Sequence, residues 1–185
     1  MREVFRVPAL DSSEIWEIAK AQRHQLARHN ADRIDLLGCL EAAEELWTMS
    51  GTRRFRLEIV SNEELPAESC RPTFDGTEIV LMVPRHVRHR AFLGDGEARF
   101  LIARGLGNAT LHAAVLLEHL GRPRPCFERV VGACSSAWQA GLFATAFLAG
   151  DSAWRLPSPE AVSVHAGIDL THTEIFTRHM ASRKV

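Results

Sequence analysis

The sequence predicts an α+β protein, with helices packed on a small, largely antiparallel sheet and further helices following. Three observations carry this. Apolar residues recur at helical spacing on both sides of residues 55–83, which instead read as strands. The strand-like segments have too little helix between them for parallel crossovers, so an antiparallel arrangement is expected. Finally, 185 residues, 46% apolar and 24% charged, are the chain of one ordinary domain, 1–185, able to bury a core without staples.

The elements follow in order. Asp11-Ser-Ser-Glu14 reads as a helix start, with a side-chain oxygen to cap free amides and Glu14 in the first turn; Ile15, Ile18, Ala19 and Leu26 continue at helical spacing. A second amphipathic run carries Leu36, Leu37, Leu40, Ala43, Leu46 and Trp47 on one side and stops at Ser50-Gly51. Phe55–Val60 alternates with a period of two, as a half-buried strand does. Asp75-Gly76 signals a turn, and the β-rich run Thr77–Val83 after it is closed by Pro84. The basic run Arg85–Arg90 is expected to be a solvated connection or helix end; His86 and His89 have no carboxylate or Cys beside them and are not read as a metal site.

A central helix is expected from Asp95 or Glu97, acidic at its positive end, to about Leu120, with Gly121 as its stop. Gly105 and Gly107 inside it each cost about 1 kcal/mol against Ala, which calls for a packing reason or marks a softened helix. Arg122–Cys126 reads as a turn, and Ala133–Leu148 as the next helix, ended by Gly150 and the Pro157/Pro159 punctuation. Gly167–His179 has the spacing of a short helix behind a Thr cap, a faint match to half of a helix-turn-helix.

Composition narrows the function classes. A formal net charge of −1 leaves no electrostatic footprint for nucleic acid or an acidic membrane. No stretch reaches the roughly 18–20 unbroken apolar residues of a membrane span, and the N-terminus lacks a signal-peptide layout, so a cytoplasmic protein is expected. Cys39, Cys70, Cys126 and Cys134 form no C-x-x-C pair and read as reduced thiols.

The most informative stretch is Arg99-Phe-Leu-Ile-Ala-Arg-Gly-Leu-Gly-Asn-Ala-Thr-Leu-His112. It resembles the R-F-T-L-A-H-E-L-G-H-x-x-L-H segment of the ImmA/IrrE-type zinc metallopeptidases, which have a zincin-like fold. In that family H-E-x-x-H sets two zinc-binding His one turn apart, with the Glu as general base toward the zinc-bound water. The frame residues Arg99, Phe100, Ala103, Leu106, Gly107, Leu111 and His112 agree, but Arg104, Gly105 and Asn108 stand where the first His, the Glu and the second His would be. A second segment, Ala137–Leu148, resembles the family's E-x-x-A-N-x-F-A-x-x-L-L-M-P helix, and Ala137 replaces the Glu that is its third ligand. The flanking segments Val7–Ile15, Ala31–Leu37, Phe55–Val83 and Val162–Arg183 are similar to the family's lead-in, small sheet and closing helices.

The resemblance implies the fold with the chemistry removed: a pseudoenzyme with no catalytic residue, no metal and no cofactor. Its vacated cleft, marked by Arg104, Gly105, Asn108 and Ala137, would bind a protein or peptide. Active members of the family act on regulatory proteins such as repressors, so a transcriptional regulator is the implied kind of partner. His112 is expected as a hydrogen-bonded core histidine, Trp138 as core or cleft lining, and Arg104 as either a snorkelling surface arginine or an anchor for a carboxylate, a phosphate or a partner's backbone. A carboxylate restored at Gly105 is expected to strengthen the helix by removing an interior glycine. The alternative is a hydrolase working through relocated metal ligands or another nucleophile; Ser135, Ser136 and Thr110 have no base at a meaningful spacing.

Overall fold

The computed structural model describes residues 5–27, 33–65, 69–75, 77–118 and 132–181. In chain order these hold α1 (Ser12–Leu26), α2 (Leu36–Glu41), β1 (Glu45–Thr48), β2 (Gly51–Val60), β3 (Arg71–Asp75), β4 (Glu78–Pro84), α3 (Arg85–Phe92), α4 (Gly96–Glu118), α5 (Ser136–Ala149), α6 (Pro159–Ala166) and α7 (Leu170–Ala181). The α+β class therefore stands. The turn expected at Arg122–Cys126, the thiol of Cys126, and Gly76 lie outside the described residues.

α1 begins as its sequence dictates. Asp11 Oδ1 accepts from the amides of Ser13 (2.7 Å) and Glu14 (2.9 Å), while the Glu14 carboxylate accepts from the Asp11 amide at 2.7 Å, a reciprocal capping box. Ile15, Trp16, Ala19 and Leu26 are buried on the face that packs against α5. Arg23 is buried with them because Nη1 donates to the carbonyls of Phe147 (2.6 Å) and Leu148 (3.1 Å), groups the last turn of α5 leaves without helical partners. Gly150 closes that end at φ 68°, ψ −174°, a region open essentially to glycine alone; a Cβ there would lie 2.8 Å from Arg23 Cζ.

The run expected as one helix from Leu36 to Trp47 is divided. α2 stops at Glu41, and β1 turns through Met49-Ser50 into β2. Leu46 and Thr48 are buried while Glu45 and Trp47 face out, a period of two that Leu46 alone could not distinguish from a helix. The Thr48 hydroxyl fixes the turn, donating to Gly51 O (2.7 Å) and accepting from the Ser50 amide (3.1 Å).

The sheet order is β1-β2-β4-β3. Its outer pairings are antiparallel, but the central one, β2 with β4, is parallel, with Phe55 opposite Ile79 and Leu57 opposite Leu81. This corrects the antiparallel expectation for the two strands read from the sequence. No helical crossover is needed, because the chain between β2 and β4 carries β3 to the far side of β4 and a hairpin returns β4 into the gap. Pro72 hid β3 from the sequence, and an edge strand is where a sheet tolerates it.

The basic run forms α3 and not a loop, with Val87 and Ala91 buried; His86 is held by Asn62 Oδ1, at 2.8 Å from Nδ1 and 3.1 Å from its amide. Asp95 caps α4, its Oδ1 accepting from the Ala98 amide at 2.8 Å while the carboxylate pairs with Arg90 at 3.1 Å. α4 is buried on almost every side, between β1, β3 and β4 on one hand and α5 on the other. It is the one described helix with the length and hydropathy of a membrane span, and 72% of that window is buried inside the protein.

Pro159 starts α6 where a helix stop was expected. Proline suits the first helical turn, and the Ser158 hydroxyl caps it by accepting from the Ala161 amide at 3.3 Å. α7 begins at Leu170, so Thr171 and Thr173 lie inside it and neither is its cap; the Thr173 hydroxyl donates to Leu170 O and Pro159 O instead.

Candidate functional site

α4 and α5 form the most extensive helix contact of the fold, and glycine makes the close approach. A Cβ at Gly107 would stand 2.8 Å from the Phe143 ring and 3.2 Å from Ala140 O. Gly105 faces the sheet side of the same helix, where a Cβ would meet Leu81 Cδ1 at 2.9 Å, Cys70 Cβ at 3.1 Å and Cys70 O at 3.2 Å. Both glycines thus have the packing reason their helix cost demanded. The finding also sets a packing cost against the expectation that a carboxylate at Gly105 strengthens the helix. The propensity gain of about 1 kcal/mol is set against forcing a long side chain toward Leu81 and the Cys70 backbone, and the overpacking is expected to prevail.

Arg104, Asn108 and His112 recur every four residues and so share one stripe of α4. Arg104 and Asn108 are half-buried, and Arg104 lies close enough to Cys70 for its charge to act on the thiol. Burial outweighs that charge and pushes Cys70 up to about 12, which makes it an inert core thiol. On α5, Ala137 and Trp138 are half-buried, Trp138 packing against the core.

His112 is 2% exposed and belongs to a chain of hydrogen bonds that determines its tautomer. The Gln139 amide nitrogen donates to Pro8 O (2.8 Å) and Ala133 O (2.5 Å), which leaves Oε1 as the acceptor facing His112 Nε2 at 2.9 Å. Nε2 therefore carries the proton. Asn108 Oδ1 is placed 3.1 Å from Nδ1; with Nδ1 an acceptor, the pair forms a hydrogen bond once the Asn108 amide is assigned the opposite way round, nitrogen toward the ring. Burial holds the imidazole neutral, lowering it from 6.5 to about 4 against the opposing Gln139 bond. Phe5 packs edge-on to the ring at 5.6 Å.

This chain ties the N-terminal segment to the start of α5. The Phe5 amide donates to the Ser136 hydroxyl (3.1 Å), the Ser136 amide to Phe5 O (3.1 Å), and the Val7 amide to Cys134 O (3.0 Å). Gln139 is the residue sequence reasoning missed, and Ser136, read there only as a nucleophile without a base, serves this tie instead. A lone glutamine in the apolar run Ala137–Leu148 was the available signal.

Two further histidines meet polar partners on neighbouring elements. Ser152 Oγ lies 2.7 Å from His165 Nε2, but the same nitrogen faces Ala149 O at 3.1 Å. A carbonyl can only accept, so Nε2 is the protonated nitrogen and cannot take the serine proton. His172 Nε2 meets Glu97 at 2.6 Å with its ring stacked on Phe100, an arrangement that joins α7 to α4. Among the described residues no three His, Cys, Asp or Glu side chains gather where a metal ion could be held. No protein-family model, curated protein or solved structure matches the chain.

Proposed function

We propose that the protein is a non-catalytic relative of the ImmA/IrrE metallopeptidases, a regulatory protein that binds a protein or peptide partner through the vacated cleft marked by Arg104, Asn108 and Ala137. The observation that carries this is the chemistry of the four family positions on two directly packed helices. They hold a guanidinium, a hydrogen, an amide committed to His112 and a methyl group. Neither Arg nor Ala offers zinc a lone pair, and the position of the general base is filled by the close approach of Cys70 and Leu81. Recognition rests on groove shape and survives the loss of hydrolysis. The partner is of the kind active relatives act on, a transcriptional regulator, and Arg104 anchors it through an acidic or carbonyl group.

Elemental analysis of the purified protein, with capture of the partner on immobilised protein from the native host, tests the reading. The expected result is no stoichiometric zinc, and partner capture weakened by Arg104→Ala in a variant that still folds. Near-equimolar zinc would overturn the non-catalytic reading. Partner affinity unchanged in Arg104→Ala would remove the arginine from the interface.

A further inference from the structure

A cavity lies elsewhere on α4. Its volume is about 360 Å³, and it is lined by Arg99, Arg33 and the carboxylate of Asp35, with Leu36, Leu37, Phe92 and Leu93 among its walls, so two guanidinium groups face one carboxylate. At roughly 100° per residue, Arg99 points well away from the Arg104–Asn108 stripe, so the cavity is independent of the proposed cleft. Arg99 is 7% exposed, yet among the described residues its guanidinium makes a single long bond, Nη2 to Ile34 O at 3.4 Å, and Nε has no partner.

The surroundings deepen that deficit. Burial and the neighbouring charges of Arg33 and Arg23 all work against the Arg99 cation, and Asp35 alone favours it. Asp35 is itself engaged, Oδ1 accepting from the Gly38 amide at 3.1 Å to cap α2. Arg23 is engaged by the α5 carbonyls. Arg33 lies against Gly167, where a Cβ would stand 2.6 Å from its Nη2, so the turn between α6 and α7 steers its guanidinium. Among the described residues neither Arg99 nor Arg33 forms an ion pair with a carboxylate. A buried guanidinium without an anion is an unfavourable arrangement, and a planar donor fork is shaped for two oxygens. At the rim Phe92 is 73% and Leu93 69% exposed, an uncommon display for large apolar side chains side by side.

We propose that this cavity binds a compact oxyanion, a carboxylate or a phosphate monoester, that carries an apolar group. Arg99 and Arg33 clamp the oxygens, and Leu37, Phe92 and Leu93 cover the apolar part. The volume suits a small organic anion.

Calorimetric titration at low ionic strength with acetate, hexanoate, inorganic phosphate and phenyl phosphate tests this, alongside the NMR signal of the Arg99 Nε–H. Saturable binding is expected, tighter for the tailed anion of each pair, with a shift of the Nε–H signal on binding. The head group that binds tighter distinguishes carboxylate from phosphate. Arg33→Ala removes an exposed side chain and is expected to leave the fold intact while weakening binding about tenfold or more, as loss of a charge-assisted bond does. Phe92→Ala is expected to narrow the gap between tailed and untailed anions. Failure of all four anions to bind saturably, equal affinity for tailed and untailed forms, or affinity unchanged in Arg33→Ala would each overturn the proposal.

Discussion

Acid should unfold this protein partly through one buried ring. The folded chain holds His112 neutral, with its proton affinity lowered from 6.5 to about 4, whereas the unfolded chain takes up a proton near 6.5. Between those values the unfolded state binds more protons, so stability falls as the pH drops through the window and is fully present above it. At about 1.4 kcal/mol for each tenfold step in proton affinity, the gap from 6.5 to about 4 is worth ~3 kcal/mol. That is a large part of the 5–15 kcal/mol typical of a domain. The measurement is urea unfolding from pH 7.5 to 4.5 on the wild type and on His112→Gln, an uncharged side chain that keeps a hydrogen-bonding end. The variant is expected to be less stable at pH 7.5 by about 1–3 kcal/mol, the cost of disturbing the buried bonds to Gln139 and Asn108. Below pH 6.5 its stability should fall less steeply, so the two curves converge. Parallel curves through that window would refute the assignment of His112 as a neutral, buried imidazole.

Three further outcomes are expected. Gly105→Ala should lower stability by about 1–2 kcal/mol in chemical denaturation, overpacking against Leu81 and Cys70 outweighing the helix gain; a more stable variant would show that the contact is slack. Gly150→Ala should cost at least ~2 kcal/mol, since the backbone there is strained for any side chain and the new methyl displaces Arg23; a change in melting temperature within error would count against the Arg23 latch. Cys70, pushed up to about 12 by burial, should resist alkylation by iodoacetamide at pH 8 in the native protein and react on unfolding; peptide mapping after a timed pulse distinguishes the two.

Where local chemistry decides an element, the sequence announced it. The Asp11 box, the Asp95 cap and the apolar length of α4 and α5 are all readable from neighbours in the chain. β1 was lost because Leu46 satisfies a helical and an alternating period equally well, and β3 because Pro72 looks like a strand breaker until the strand is known to be an edge. The parallel pairing of β2 with β4 depends on where β3 goes, which no local pattern encodes. At the candidate site the same division holds. The identity of Arg104, Gly105, Asn108 and Ala137 was plain, and so was a packed role for His112. Gln139, whose amide bridges Pro8, Ala133 and the ring, belongs to a contact between distant segments and left only a single glutamine in a mostly apolar run.

The tie between Phe5 and Ser136 has a consequence for how the protein is made. Those residues are 131 apart in sequence, so a ribosome adding roughly 5–20 residues each second leaves the first segment without its partner for on the order of ten seconds. During that time Trp16, Ile15 and the apolar face of α1 have no α5 to cover them, and Arg23 has no carbonyls to meet. The nascent chain is therefore most open to aggregation or chaperone capture until α5 has emerged. A stalled chain released before residue 150 should be insoluble or chaperone-bound, while one carrying α5 should close the latch and become protease-resistant.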